Sequence, residues 1–172
     1  RDYTLKVEAS GGAPVLNVFG GKITTYRRLA EGALDKIAGH LKTDGGPWTA
    51  GVSLPGGDFG VGEVADLVAR LKTDFPFLDD FACRRMVRAY GTQAWDMLDG
   101  ATGAADMGEK FGATLTAREV TWLMTREWAR TAEDVVWRRS KLGLRMTADQ
   151  IARLDDWMQK ARDRGRAQEA AE

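Results

Sequence analysis

The stretch Asn17–Arg28 reads NVFGGKITTYRR, and its reading decides how the chain around it folds. Val15, Leu16, Val18 and Phe19 form a short apolar run of the kind that makes a buried strand. Gly20-Gly21 ends that run, a helical pattern begins at about Ile23, and Lys22 stands at the helix start. A helix N-terminus carries positive partial charge and free N–H donors, so acids belong there. Lys22, with Arg27 and Arg28 on the first two turns, breaks that rule, and local rules tend to fail at functional sites. Two readings fit the residues. In one, the strand feeds two glycines into a helix so that backbone N–H groups approach an anionic or electron-rich ligand, with Lys22 adding a mobile ammonium. In the other, Gly20-Gly21 is a tight strand-to-helix turn, Lys22 points into water, and Thr24 or Thr25 caps the helix.

Upstream, Tyr3, Leu5 and Val7 alternate with Thr4, Lys6 and Glu8, the period of a half-buried strand. Gly11-Gly12 supplies a turn that lets this strand pair with the next as a hairpin. Downstream, Ile23, Tyr26, Ala30, Ala33, Ile37 and Leu41 recur as one apolar helical stripe. Residues 1–41 therefore read strand, turn, strand, Gly-Gly, helix. Residues 42–60 lose this periodicity and are dense in glycine and proline, as a linker or ordered loop is.

From residue 61 on, everything reads as helix. Val64, Leu67, Val68 and Leu71 make one stripe; Leu78, Ala82, Met86 and Ala89-Tyr90 make another, closed by Gly91 at a C′ position. Thr116/Glu119 and Thr147/Gln150 match the capping box, and Thr131/Asp134 is a shorter-armed variant. The helices they open are expected to bury Val120, Leu123, Met124 and Trp128, then Val135 and Val136, then Ile151, Leu154, Trp157 or Met158, and Ala161. The expected fold is mainly α: an all-helical domain over 61–172, preceded by a β-hairpin and helix that belong to an α/β domain. The chain opens at Arg1 directly in a strand-like segment, so it is expected to be part of a longer protein.

Composition narrows the function classes. The 25 basic and 25 acidic residues balance, which argues against a basic nucleic-acid surface. One cysteine, Cys83, and one histidine, His40, cannot build a four-ligand zinc site or an internal disulfide, so no metal site is expected and a reduced cytoplasmic setting is. No run approaches the roughly 20 apolar residues that span a bilayer. Gly60-Val-Gly62-Glu-Val-Ala65 satisfies a loose dinucleotide fingerprint, but it follows SLPGGDF, a turn rather than a strand, and reads as a helix-entry loop. Arg138, Arg139, Lys141 and Arg145 beside Trp137 form a basic patch, read as a solvated helix end or interdomain ion pairs in preference to a lipid contact. Glu127, Glu133 and Asp134 find partners in nearby Arg126 and Arg130. Cys83 reads as a small buried hydrophobe, His40 as a favourable charge at a helix C-terminus, and the tryptophans as core or domain-contact anchors.

Four blocks in order, RDYTLKVEASGGAPVLNVFGGKITTYRRLAEGALDKI, WTAGVSLPGGDF, FPFLDDFACRRMVRAYGT and EWARTAEDVVWRRSKLGLRMT, together resemble the C-terminal part of the aerobic, FAD-dependent glycerol-3-phosphate dehydrogenases. The resemblance runs from Arg1 to about Trp157. It implies that residues 1–41 are the end of an FAD-binding catalytic domain whose dinucleotide fingerprint lies upstream, and that 61–172 is the helical C-terminal domain. It implies FAD bound at Gly20, Gly21, Lys22, Ile23, Thr24 and Thr25, and substrate phosphate held by Lys22 and Arg1. The implied reaction is hydride transfer from C2 of sn-glycerol 3-phosphate to flavin N5, with electrons passing to quinone. The catalytic base lies outside this chain, so the chain alone is expected to be inactive and the helical domain to cap, buttress or mediate homodimer contacts. A peripheral position at the inner face of the cell membrane goes with the same resemblance. The alternative from the residues is a free-standing helical interaction module without catalysis.

Overall fold

A computed structural model describes residues 2–41 and 45–169, with side chains up to Gly165. The chain divides into two compact units, Arg1–Ser53 and Leu54–Glu172. In the first, β1 (Tyr3–Glu8) pairs antiparallel with β2 (Val15–Gly20), Tyr3 opposite Gly20 and Glu8 opposite Val15. Residues of alternate parity therefore share a face: Tyr3, Leu5, Val7, Leu16 and Val18 on one, Thr4, Lys6, Glu8, Val15, Asn17 and Phe19 on the other. A 3-10 turn over Ile23–Thr25 leads into α1 (Tyr26–Ile37).

Helix α1 covers only part of the stripe expected of it, at Ala33 and Ile37. Arg27, Leu29, Glu31, Gly32, Ala33 and Ile37 are half-buried, and a Cβ on Gly32 would lie 3.6 Å from Leu5 Cδ1, so the Gly32 side meets the hairpin. Ile23 is 85% exposed, and Tyr26, Ala30 and Leu41 also face outward. The first turn is 3-10, which takes Ile23 out of phase with the α-helical positions that begin at Tyr26. Behind α1, Glu31 ties down the following loop. Its carboxylate accepts from Arg27 Nη1 (3.0 Å), from the Thr49 hydroxyl and from the Thr49 N–H (3.3 Å).

The second unit is the mainly helical one: α2 (Val64–Asp74), α3 (Asp80–Tyr90), α4 (Gln93–Leu98), α5 (Ala117–Arg126), a π-helical turn over Asp134–Arg139, and α6 (Ala148–Glu169). Asp79 caps α3, its carboxylate accepting the Ala82 N–H at 2.7 Å. Gly91 closes that helix at φ 56°, as its C′ position demands. The loop before α2 is pinned to this point. Gly56, also at positive φ, accepts the Thr92 N–H at 3.1 Å, and a Cβ on either glycine would overlap the other segment's backbone. Both boxes at Thr131/Asp134 and Thr147/Gln150 form reciprocally.

Several expectations need correction. The unit is not purely helical: β3 (Lys110–Gly112) and β4 (Leu115–Thr116) form a short hairpin that buries Phe111 and Leu115, and Phe111 stands edge-on to Trp157 of α6 at 5.5 Å. The Thr116/Glu119 box does not form. Glu119 turns inward and is fully buried, where Arg85 Nη1 and Nη2 donate to its two oxygens at 2.5 and 2.6 Å and the Tyr90 hydroxyl donates at 2.6 Å. A buried bidentate guanidinium outcompetes a solvated cap, and the Thr116 hydroxyl is left without a partner among the described residues. Trp128 is 77% exposed because α5 has already ended at Arg126 and Trp128 takes the left-handed C′ conformation, φ 54°. Glu127 pairs with Arg139 at 3.6 Å, and Glu133 and Asp134 pair with Arg138 at 3.3 and 3.1 Å, rather than with Arg126 and Arg130.

Two consequences are measurable. Breaking a buried pair strands a charge, so Glu119→Ala should cost about 3–5 kcal/mol in urea unfolding, while Arg85→Met combined with Glu119→Leu should recover much of that loss. An unshifted urea midpoint for Glu119→Ala would remove the pair from the fold's supports. Asp106 and Asp134 are both held below the usual carboxyl range, Asp106 first by the Thr102 N–H and then its hydroxyl, Asp134 first by the Arg130 N–H against a burial cost. Depressed acids stabilise the fold above the ordinary carboxyl pKa, and that contribution is lost as pH falls through the folded value. Stability below about pH 4 should therefore fall more gently in an Asp106→Asn/Asp134→Asn variant than in the parent; parallel curves would contradict the assignment.

Candidate functional site

The turn between β2 and α1 is built by two left-handed glycines, Gly20 at φ 77° and Gly21 at φ 105°. Gly20 is doubly constrained, since a Cβ there would sit 2.9 Å from the Asp2 carbonyl oxygen. Lys22 is then extended (φ −130°, ψ 149°) with its side chain exposed, and Thr25 donates from both N–H and hydroxyl to the Lys22 carbonyl at 3.0 Å. Because Thr25 spends its hydroxyl on that carbonyl, it does not cap, and neither Lys22 nor Thr25 supplies a side-chain cap. The Ile23 and Thr24 amides that open the 3-10 turn have no acceptor within it. Ile23 and Thr24 are exposed, as are Gly20 and Gly21. The structure thus brings Gly20 to Thr25 together as one exposed edge carrying N–H donors and an ammonium, without a carboxylate in the turn. Arg1 lies outside the described residues.

The other two cations of the opening stretch separate. Arg27 is engaged by Glu31 and Thr49 (3.2 Å), so it is neutralised within its own unit, and Arg28 is exposed. Thr49 is the first cause of a Glu31 carboxyl lower than usual, ahead of the charge of Arg27. Lys22 is the cation of this turn that remains for a ligand.

The remaining sequence candidates resolve into structure. At Gly60 the loose fingerprint is filled by its own chain, Glu63 Oε2 accepting the Gly60 N–H at 2.7 Å. Cys83 is fully buried, and burial pushes its thiol up, so it packs as a hydrophobe. Burial, then the charge of Glu119, pushes the Tyr90 phenol far up, which keeps it a hydrogen-bond donor. The basic patch is largely paired within the unit, Arg138 and Arg139 as above, while Arg145 stacks over Phe81 at 4.7 Å. Among the described residues no cluster of three potential metal ligands occurs. Sequence reasoning missed the Arg85–Glu119–Tyr90 group. Its signal was an arginine beside the apolar stripe of α3, and the capping-box pattern at Thr116 pointed Glu119 elsewhere.

Comparison with known proteins gives this geometry a context. Residues 47–164 match the family described as the C-terminal domain of alpha-glycerophosphate oxidase. The chain is 47% identical over 160 residues to the glycerol-3-phosphate dehydrogenase of Pseudomonas aeruginosa, covering 92% of this chain and 31% of that protein. It is 42% identical over 159 residues to the aerobic glycerol-3-phosphate dehydrogenase of Escherichia coli, covering 92% of this chain and 32% of that protein. It is 37% identical over 161 residues to the D-erythritol 1-phosphate dehydrogenase of Brucella abortus, covering 94% and 32%. The chain spans about a third of the length of these relatives, and matches this extensive take in the Gly20–Thr25 turn as well as the helical unit. The chain belongs to the family of the C-terminal domain of alpha-glycerophosphate oxidase.

Proposed function

We propose that the chain is the C-terminal part of an FAD-dependent dehydrogenase that oxidises sn-glycerol 3-phosphate to dihydroxyacetone phosphate. The observation that carries this reading is the Gly20-Gly21-Lys22 turn, lying inside the match to two dehydrogenases named for that substrate. FAD bound there would supply the acceptor for a hydride from C2 of the substrate, with quinone as the onward electron acceptor. The residues of the turn fit that cofactor. Left-handed glycines let the backbone approach a planar ring edge, and the N–H donors of a turn that lacks a carboxylate suit a group that gains negative charge on reduction.

Within that site each residue has a task. Gly20, fixed by its close approach to Asp2, sets the direction in which the turn leaves the strand. Gly21, Ile23, Thr24 and Thr25 shape the cofactor-facing backbone, and Lys22, with Arg1, holds the substrate phosphate by charge-assisted hydrogen bonds. The relative named for D-erythritol 1-phosphate supports this division of labour, because a phosphate is common to both substrates. The exposed Val15 and Phe19 on the outer face of β2 favour this reading over a free-standing module, since a strand apolar on both faces belongs inside a larger sheet. The helical unit buttresses the catalytic domain or mediates a homodimer contact.

In the intact longer enzyme, Lys22→Ala should lower kcat/KM for glycerol 3-phosphate by roughly 10–100-fold, the worth of a charge-assisted hydrogen bond, while flavin content and helical circular dichroism stay unchanged. Unaltered kinetics would take Lys22 out of the site. The 172-residue chain supplied alone with FAD and substrate should show no turnover.

A further inference from the structure

A second surface lies wholly within the helical unit. Helices α2 and α3 and the segment Arg139–Leu142 enclose an open groove of about 1190 Å³. Its charged lining is Arg84, Arg85, Arg88, Arg139 and Lys141, and no carboxylate lines it. A chain with 25 basic and 25 acidic residues has thus segregated five cations into one concavity. Glu119 neutralises Arg85 from behind and Glu127 engages Arg139, but Arg84 and Arg88 make no ion pair or hydrogen bond with the described residues, and Lys141 donates to the Trp137 carbonyl without pairing with a carboxylate among them. Between these cations the groove is apolar, formed by Val64, Val68, Leu142 and the edge of Phe81.

We propose that this groove docks an acidic amphipathic segment of a separate protein partner, one that lays apolar side chains on the floor and Asp or Glu against Arg84, Arg88 and Lys141. Three observations select that occupant. The volume exceeds the roughly 300–1,000 Å³ of small-molecule pockets, and the shape is open and flanked by helices, as grooves that take a helix or strand are. The sign of the charge favours an acidic partner over a basic one, because uncompensated arginines attract carboxylates. The cations line a groove with an apolar floor, which suits an inserted amphipathic segment. The wall formed by Ser140 and Lys141 follows a π-helical turn, closed by the Ser140 N–H donating to the Val135 carbonyl at 3.0 Å, and such turns recur at functional sites. This inference is independent of the flavin site.

The test uses the 172-residue chain and a fluorescent peptide about four helical turns long, with leucines on one face and glutamates on the other. Anisotropy should report saturable binding that weakens as salt rises, and a peptide with lysines in place of the glutamates should not bind. Arg84→Glu/Arg88→Glu should weaken binding at least about tenfold with an unchanged thermal melt, while Arg84→Lys/Arg88→Lys should retain most of it. No binding, or binding indifferent to the charge reversal, would overturn the proposal. So would co-sedimentation with phosphatidylglycerol vesicles in the absence of peptide binding, which would make the patch a lipid contact. Peptide binding by the 172-residue chain but not by the longer enzyme proposed above would show the groove filled by its own polypeptide, and would equally overturn a separate partner.

Discussion

Among the described residues Glu119 is the one acidic side chain that is fully buried, and the elements around it are arranged to satisfy it. Arg85 reaches it from α3 with a bidentate fork, Tyr90 reaches it from one turn further along the same helix, and Arg85 Nε is steadied in turn by the Thr114 hydroxyl at 3.2 Å. One carboxylate on α5 therefore fixes the rotation of α3 and the position of the β3–β4 turn. That turn holds Ala113 and Thr114 at φ 45° and 71°, conformations that non-glycine residues adopt only when their surroundings impose them. A buried salt bridge is weak evidence for net stability but strong evidence for a specified geometry, because any other packing would leave the charge unpaired.

The same interaction links the core to the surface. Arg85 is only 13% exposed in its side chain, yet it forms part of the groove in which Arg84 and Arg88 stand free. The guanidinium that neutralises Glu119 thus also positions the helix face that presents its two neighbours. Gly56 and Gly91, packed backbone to backbone, close the end of α3 that carries Tyr90, so the Gly56 turn serves the same anchor.

Much of this was legible in the sequence where a residue's role is local. The Gly20-Gly21 turn, Gly91 at the end of α3, the boxes at Thr131/Asp134 and Thr147/Gln150, and the buried Cys83 all follow from propensities that act over a few residues. The mainly α character followed from the apolar stripes. What periodicity could not reveal were outcomes of competition over long separations. Glu119 had a local use as half of a capping box and a distant one with Arg85, and the buried pair won. Trp128 lost its place in the core because α5 stops two residues earlier. The short β3–β4 hairpin is too brief to show alternation, and the 3-10 turn that opens α1 puts Ile23 out of phase with the rest of its stripe. At the candidate site the sequence showed the misplaced cations, and the structure separated them: Arg27 is satisfied by Glu31, Arg28 is exposed on α1, and Lys22 is the one within the glycine turn.

The proposed flavin site at the Gly20–Thr25 turn, acting on a polyol phosphate, can be tested in the intact longer enzyme. The most direct measurement is the visible spectrum of the intact longer enzyme, loaded with FAD and kept free of oxygen, before and after adding glycerol 3-phosphate. The account predicts a yellow protein whose flavin absorption bleaches on adding substrate. A protein that stays colourless after FAD addition, or a yellow one that no polyol phosphate bleaches, would contradict it.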